Sequence, residues 1–232
     1  MPRTRKDFVF FILGGFFLTN AILAELTGGK LFEVPAWGLQ WLGLDSLVLS
    51  IGVIPWPIVF ITTDLINEYF GKPGVRRLTF LAVGMIAYSF IVLFLAMLVP
   101  AWSGSPTPGD AFNAVFGQSQ WIIVGSLVAF LVSQLVDVFV FSHFKRATGG
   151  RMLWLRATGS TVVSQVFDTF LVGFIAFVIP GKLAFSDFLR LAAGSYAFKL
   201  IVAIGITPII YLAHALIDRY LARDNFTNPR PE

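Results

Sequence analysis

A chain of 232 residues with 56% hydrophobic and only 13% charged side chains, about half the charged share of soluble domains, is an integral membrane protein by composition. No long polar stretch is left for a soluble catalytic or receptor domain, so residues 1–232 are read as one domain whose helices are the working part. The net charge of +4 and pI near 9.6 do not indicate nucleic acid, because the basic residues lie in short loops where membrane topology explains them; the absence of cysteine excludes disulfides, thiolate metal sites and cysteine nucleophiles.

An apolar run of about 20 residues crosses the hydrocarbon as a helix. Such runs occur at about 8–26, 46–68, 79–100, 121–142, 157–179 and 194–216, which predicts an all-α polytopic bundle of six membrane helices. The first run, with its basic head, also has the outline of a signal peptide cut after Ala24. Ile22 then falls where a small residue is favoured, and removal would leave five spans, so the segment is retained as a span. Arg3, Arg5 and Lys6, then Lys72, Arg76 and Arg77, then Lys145, Arg146, Arg151 and Arg156, then Arg219, Arg223 and Arg230 fall on one side. Lys30, Lys182 and Arg190 fall on the other. Both termini are therefore expected to be cytoplasmic.

At the end of the first run, Asn20 and Glu25 flank an apolar tetrad; snorkelling to the interface accounts for Glu25 but less easily for Asn20. The segment 27–45, with Lys30, Glu33, Pro35, Trp37 and Trp41, reads either as a polar linker with an aromatic belt or as an irregular, partly re-entrant excursion. In the second run, Pro55 and Pro57 remove backbone donors, which suits either a broken helix or a simple kink, and Gly71, Pro73 and Gly74 are expected to end it. Asp64 and Glu68 are four apart, as are Thr63 and Asn67, so they share one helical face. Capping and wetting near Lys72 and Arg76 is the alternative for Asn67 and Glu68. The connection from Trp102 to Gln118 is rich in Gly, Pro and Ser and is expected to be exposed and without chemistry.

The fourth and fifth runs carry an echo. Val132-Ser133-Gln134 with Asp137 and Phe139 matches Val163-Ser164-Gln165 with Asp168 and Phe170, a V-S-Q-x-x-D-x-F pattern that antiparallel helices would present as inverted copies. Ser160 and Thr161 extend the polar face of the fifth run, and Arg156 stands one turn before Ser160. Lys199 in the sixth run is expected to pair with Asp137 or Asp168, either as a structural tie or as a contact that solute breaks and remakes. His214 is expected at the interface without a role. A central Asp or Lys costs roughly 2.5 to 3.5 kcal/mol on insertion scales, so this many buried polar groups predict an enclosed polar site, and hence a transporter. The predicted substrate-binding set is Asn20, Asp64, Asn67, Glu68, Gln134, Asp137, Arg156, Ser160, Gln165, Asp168 and Lys199. Acids, amides and aromatic rings together suit a guanine-like edge among many polar solutes. No metal site or cofactor is expected.

Two other classes remain in view. An intramembrane aspartyl enzyme could use Asp137 and Asp168 as a dyad, but neither aspartate has glycine-flanked context, and no HExxH or G-x-S-x-G occurs. A substrate-binding subunit would need a separate ATPase, since the chain has no phosphate-binding loop.

The stretch Ile61-Thr62-Thr63-Asp64-Leu65-Ile66-Asn67-Glu68-Tyr69-Phe70-Gly71 resembles the family of queuosine precursor transporters, formerly described as a vitamin uptake family. Asn20 with Lys30, Ser133-Gln134 with Asp137, Arg156 with Ser160-Thr161, and Ser164-Gln165 with Asp168 are similar to that family's pattern over nearly the whole chain. Ala157 stands where an amide is expected after the arginine. The resemblance implies import of 7-cyano-7-deazaguanine or its aminomethyl analogue across the cell (inner) membrane for the queuosine of tRNA. A coupling proton and a homo-oligomer are further expectations, and the tRNA itself is not a partner.

Overall fold

The computed structural model describes residues 4–28, 30–35, 46–117 and 120–227. Helix α1 (Arg5–Thr27) starts at a capping box: the Thr4 hydroxyl accepts from the Asp7 amide at 3.0 Å, and the Asp7 carboxylate accepts from the Thr4 amide at 3.1 Å. Two of the helix's orphan donors are thereby satisfied, and an acid sits at the positive end of the helix dipole.

The chain then forms a small antiparallel hairpin, β1 (Leu31–Pro35) against β2 (Ser46–Ser50), with Leu31 opposite Ser50 and Pro35 opposite Ser46. This corrects the all-α expectation locally and moves the start of the second helix from residue 46 to Trp56. The apolar run of β2 is spent on a sheet face, where Leu47 and Leu49 pack with Phe32, Val34 and Phe198. Trp37 and Trp41 lie outside the described residues. After β2 a short 3-10 turn (Ile51–Val53) lays Gly52 against the end of α1, where a Cβ would meet the Ala24 carbonyl oxygen at 2.7 Å.

Helix α2 (Trp56–Leu98) has 43 residues, about 64 Å at 1.5 Å per residue and twice the hydrocarbon thickness. Pro55 and Pro57 do not break it. They stand at its N-cap and first turn, where a missing N–H is tolerated. The interruption is at Gly71 (φ 67°, ψ −174°), a conformation open essentially to glycine alone, with Pro73 in the first turn of the second half. Contacts along α1 give the direction of each half. Gly52 approaches Ala24, Phe70 meets Phe10 with ring centroids 4.9 Å apart, Gly74 also lies against Phe10, and Leu78 lies against Gly14. One half therefore runs along α1 toward Phe10, and the other turns at Gly71 and runs back. Phe17 and Ala21 of α1 pack in one core with Val59 and Ile66 of the first half and Leu78, Ala82 and Ile86 of the second. Substituting Gly71 by alanine is expected to destabilise the fold by about 1–3 kcal/mol, the usual cost of such a backbone region, read as a lower melting temperature in detergent.

A short exposed helix, α3 (Gly109–Phe116), lies in the connection expected to be exposed. Helices α4 (Gln120–Ala147) and α5 (Leu153–Gly173) form the most extensive pairing in the bundle. Gly125 lies against Ile175, Asp137 against Ser164, and Gly159 against Phe144, the order of an antiparallel pair. A π-helical turn (Phe174–Val178) continues α5. Helix α6 (Phe185–Thr227) is tied to α5 by Tyr196 donating to the Val162 carbonyl at 2.9 Å and by Thr158 and Thr207 at 2.9 Å.

Five helical stretches are long and apolar enough to cross a membrane among the described residues: Arg5–Thr27, Ile51–Leu98, Gly109–Ala147, Leu153–Val178 and Phe185–Ala222. The second of these covers most of the runs at 46–68 and 79–100, with the reversal at Gly71 between them. The basic segments gather at one end of the bundle. There Arg5 donates to the Tyr220 carbonyl, Lys6 lies over Phe70, Lys72 lies over Phe139, and Lys145 donates to the Glu68 carbonyl.

Candidate functional site

The polar residues of the apolar runs converge between α2, α4, α5 and α6. Thr63, Asp64 and Asn67 on α2, Ser133, Gln134 and Asp137 on α4, and Arg156, Ser160, Ser164, Gln165 and Asp168 on α5 are all buried. From Arg156 to Asp168 the polar face of α5 rises about 18 Å, more than half the hydrocarbon thickness.

At the basic end, Glu68 is held by two cations. Its Oε2 lies 3.0 Å from the Arg156 guanidinium and 3.1 Å from the Lys145 ammonium. Arg156 is only 3% exposed; it also donates to the Gly150 carbonyl and lies over the Phe141 ring. The alternative in which Glu68 stays wet near Lys72 and Arg76 does not hold: it ties α2 to α4 and α5. Ala157, where an amide was expected, is filled into the apolar packing of Phe141, Leu153, Ile206 and Ile210.

In the middle, Gln134 donates to the Thr63 hydroxyl at 3.3 Å, Ser142 donates to the Asn67 carbonyl oxygen at 3.5 Å, and Ser164 donates to Asp137 at 3.2 Å. The two copies of the echoed motif thus meet, the serine of the second facing the aspartate of the first. Ser160 also reaches Asp137. Asp64 is 2% exposed, and neither of its carboxylate oxygens has a hydrogen-bond partner among the described residues; the charges that act on it most are Asp137, Arg156 and Glu68. Asn67 Nδ2, Arg156 Nε and Gln165 Oε1 are likewise buried without a partner. Native proteins leave few such groups, and each unpaired one costs about 1–3 kcal/mol, more when charged. Four residues on α2 and α5 thus keep polar atoms buried and unpartnered, a cost that a role in binding would offset.

At the far end, Lys199 pairs with Asp168 at 2.7 Å and donates to Thr169 at 3.2 Å. Of the two partners expected for Lys199, Asp168 is the one taken. Asp137 and Asp168 therefore have different partners. Asn20 donates to the Phe16 carbonyl one turn back in its own helix at 2.9 Å, and among the described residues no hydrogen bond joins it to the cluster. Glu25, read from sequence as snorkelling, is instead buried at 8% exposure and accepts from Ser126 on α4, with Asp168 and Lys199 as its charged neighbours. Sequence reasoning had no signal for this pairing, whose partner lies a hundred residues away on another helix. His214 lies 2.9 Å from Asp218 beside Tyr69, whose hydroxyl donates to Asp218 at 2.8 Å.

Surface concavities of about 240 and 430 Å³ lie at the Gly71 reversal, lined by Lys72, Arg76, Phe80 and their neighbours. They are basic and open outward. The Asp64 cluster is buried between packed helices.

Residues 50–213 match the family described as "Putative vitamin uptake transporter". The chain is 32% identical over 176 residues to the "Probable queuosine precursor transporter" of Bacillus subtilis (strain 168), a match that covers 75% of each chain. It is 29% identical over 155 residues to the "Queuosine precursor transporter" of Escherichia coli (strain K12), covering 66% of each. A "Probable queuosine precursor transporter" of Haemophilus influenzae is 29% identical over 157 residues, covering 66% of this chain and 63% of that one. No solved structure matches. A multi-pass membrane protein with an enclosed polar core, this chain belongs to the family described as putative vitamin uptake transporters and is a relative of those queuosine precursor transporters.

Proposed function

We propose that the protein imports queuosine precursors, 7-cyano-7-deazaguanine or its aminomethyl analogue, across the cell inner membrane for tRNA queuosine synthesis. The observation that carries this reading is the buried Asp64 carboxylate, both oxygens unpartnered among the described residues, together with the unpartnered atoms of Asn67, Arg156 and Gln165 in the same polar core. A deazaguanine offers a ring N–H and an exocyclic amino N–H side by side, which the two oxygens of one carboxylate accept together. Its ring carbonyl needs donors of the kind that Asn67 Nδ2 and Arg156 Nε supply, and its pyrrole N–H needs an acceptor such as Gln165 Oε1. Gln134, Ser160 and Asp137 orient these groups from behind. The relatives' names supply the solute, and the local chemistry accommodates it.

The two halves of α2 act in this reading as separate crossings, which with the other four helices gives six spans and both termini on one side; the basic loops on that side support a cytoplasmic location. The ion pairs of Glu68 with Arg156 and of Asp168 with Lys199 then close the two ends of the polar face, and solute exchanges them in turn. Asn20 contributes from the wall at most.

Purified protein in liposomes tests the reading. Uptake of labelled deazaguanine by the protein alone, competed by the unlabelled compound and not by adenine, is the expected result. Uptake only with an added ATPase complex would make the chain a binding subunit. Binding without movement under any condition, or no interaction with either compound, would remove the proposed solute.

A further inference from the structure

A groove at the basic end of the bundle stands apart from the polar core. Where α2 reverses at Gly71, the two adjoining concavities of about 240 and 430 Å³ share Lys72, Arg76 and Phe80 as walls, with Leu135 and Phe139 of α4 on the smaller and Arg77 on the larger. The groove has a charged end and an apolar end. From Lys72 to Phe80 the helix rises about 12 Å, whereas the headgroup layer on one side of a bilayer is about 5–7 Å deep, so a groove of this length reaches from headgroup depth into the hydrocarbon. Phe80, Leu135 and Phe139 are exposed on helices that cross the membrane, and their surroundings there are acyl chains.

Among the described residues nothing neutralises the charged end. Lys72, Arg76 and Arg77 enter no ion pair and no side-chain hydrogen bond there; instead the Lys72 ammonium lies 5.1 Å from the Phe139 ring centroid and the Arg76 guanidinium 5.7 Å from that of Phe80. The acids of this end are already engaged: Glu68 with Arg156 and Lys145, Asp7 in the cap of α1, and Asp218 with Tyr69. Membrane topology explains why cations gather on this side. It does not require that three of them line one groove or lie over rings from two helices.

We propose that this groove is a binding site for an acidic phospholipid, whose headgroup phosphate is taken by Lys72, Arg76 and Arg77 and whose acyl chain lies along Phe80, Leu135 and Phe139. Each end of the groove selects one end of the lipid. The rings and Leu135 accept any chain, so they give contact without preference; the unpaired cations set the headgroup, because a zwitterionic lipid brings its own ammonium and leaves them unbalanced. The site is independent of the solute that the polar core takes.

Native mass spectrometry of the intact protein, released from micelles that hold equal amounts of phosphatidylglycerol and phosphatidylcholine, tests the proposal. The wild type should retain phosphatidylglycerol in preference. Lys72→Gln/Arg76→Gln should lower that preference about tenfold or more, since each cation near an anionic lipid contributes about a fivefold factor. Arg146→Gln/Arg219→Gln removes two exposed cations of the same end outside the groove and should leave the preference unchanged. Arg76→Gln alone, at an exposed position without a hydrogen bond, should lower it about fivefold and carries the test if the double variant does not fold. Excess inorganic phosphate should leave the bound lipid in place, because it offers nothing to the apolar end. Equal retention of the two lipids by the wild type, an unchanged preference in the groove variants, equal loss in the Arg146/Arg219 variant, or displacement by inorganic phosphate would each overturn the proposal.

Discussion

Asp64→Asn is expected to lower deazaguanine uptake by about 100-fold or more while leaving the amount of inserted protein unchanged, because sites built to hydrogen-bond a ligand's N–H groups discriminate by large factors when that match is lost. The amide keeps the shape of the side chain but replaces one acceptor with a donor, which faces the donors of the ligand's ring edge. Both oxygens of Asp64 lack partners among the described residues, so the substitution breaks no hydrogen bond seen in the fold. It also removes a buried ionisable group. Melting temperature should therefore hold or rise as uptake falls, the pattern of a group retained for function against stability. A parallel fall in both quantities would place Asp64 in the packing of the bundle rather than at the ligand.

Glu68→Gln is expected to have the largest effect on stability, about 3 kcal/mol, because it strands a guanidinium that is only 3% exposed. The value lies at the low end for a broken buried pair, since Lys145, the other partner, is 36% exposed and can turn to water. Arg156 retains the Gly150 carbonyl, one acceptor for a group with five donors. Removing both charges, as Glu68→Gln/Arg156→Gln, should recover most of the lost stability, since the neutral pair leaves no buried ion. Thermal unfolding in detergent measures both variants. Wild-type stability in Glu68→Gln would mean that this ion pair does not hold α2 to α5.

Much of this site was legible because charge inside an apolar run has few explanations. Asp64, Asp137, Asp168, Arg156 and Lys199 stand out from their neighbours by type alone, and helical spacing places the α5 residues on one face. The pairing of Lys199 was narrowed to two acids, and the register of α4 against α5 chose between them: Asp137 falls level with Ser164, which leaves Asp168 to the lysine. Glu25 was misread because an acid near the end of a span normally reaches water, and its burial depends on where α4 packs. The hairpin was missed because Ser46–Ser50 continues the apolar run that follows it; nothing local distinguishes a strand from the start of a helix there. The prolines at 55 and 57 were ambiguous for a similar reason. A proline starts or breaks a helix depending on where the helix begins, and that start is set by the hairpin. Gly71 was read as a stop, and its positive φ shows why the chain reverses there.

Queuosine in the tRNA of cells that cannot make the precursor, lack their own importer and express this chain is the most direct measure of the central claim. Cells given a low external supply of 7-cyano-7-deazaguanine should regain queuosine with the wild-type chain and not with Asp64→Asn at equal membrane abundance. No queuosine from correctly inserted wild-type protein, or equal queuosine from both, would contradict the account.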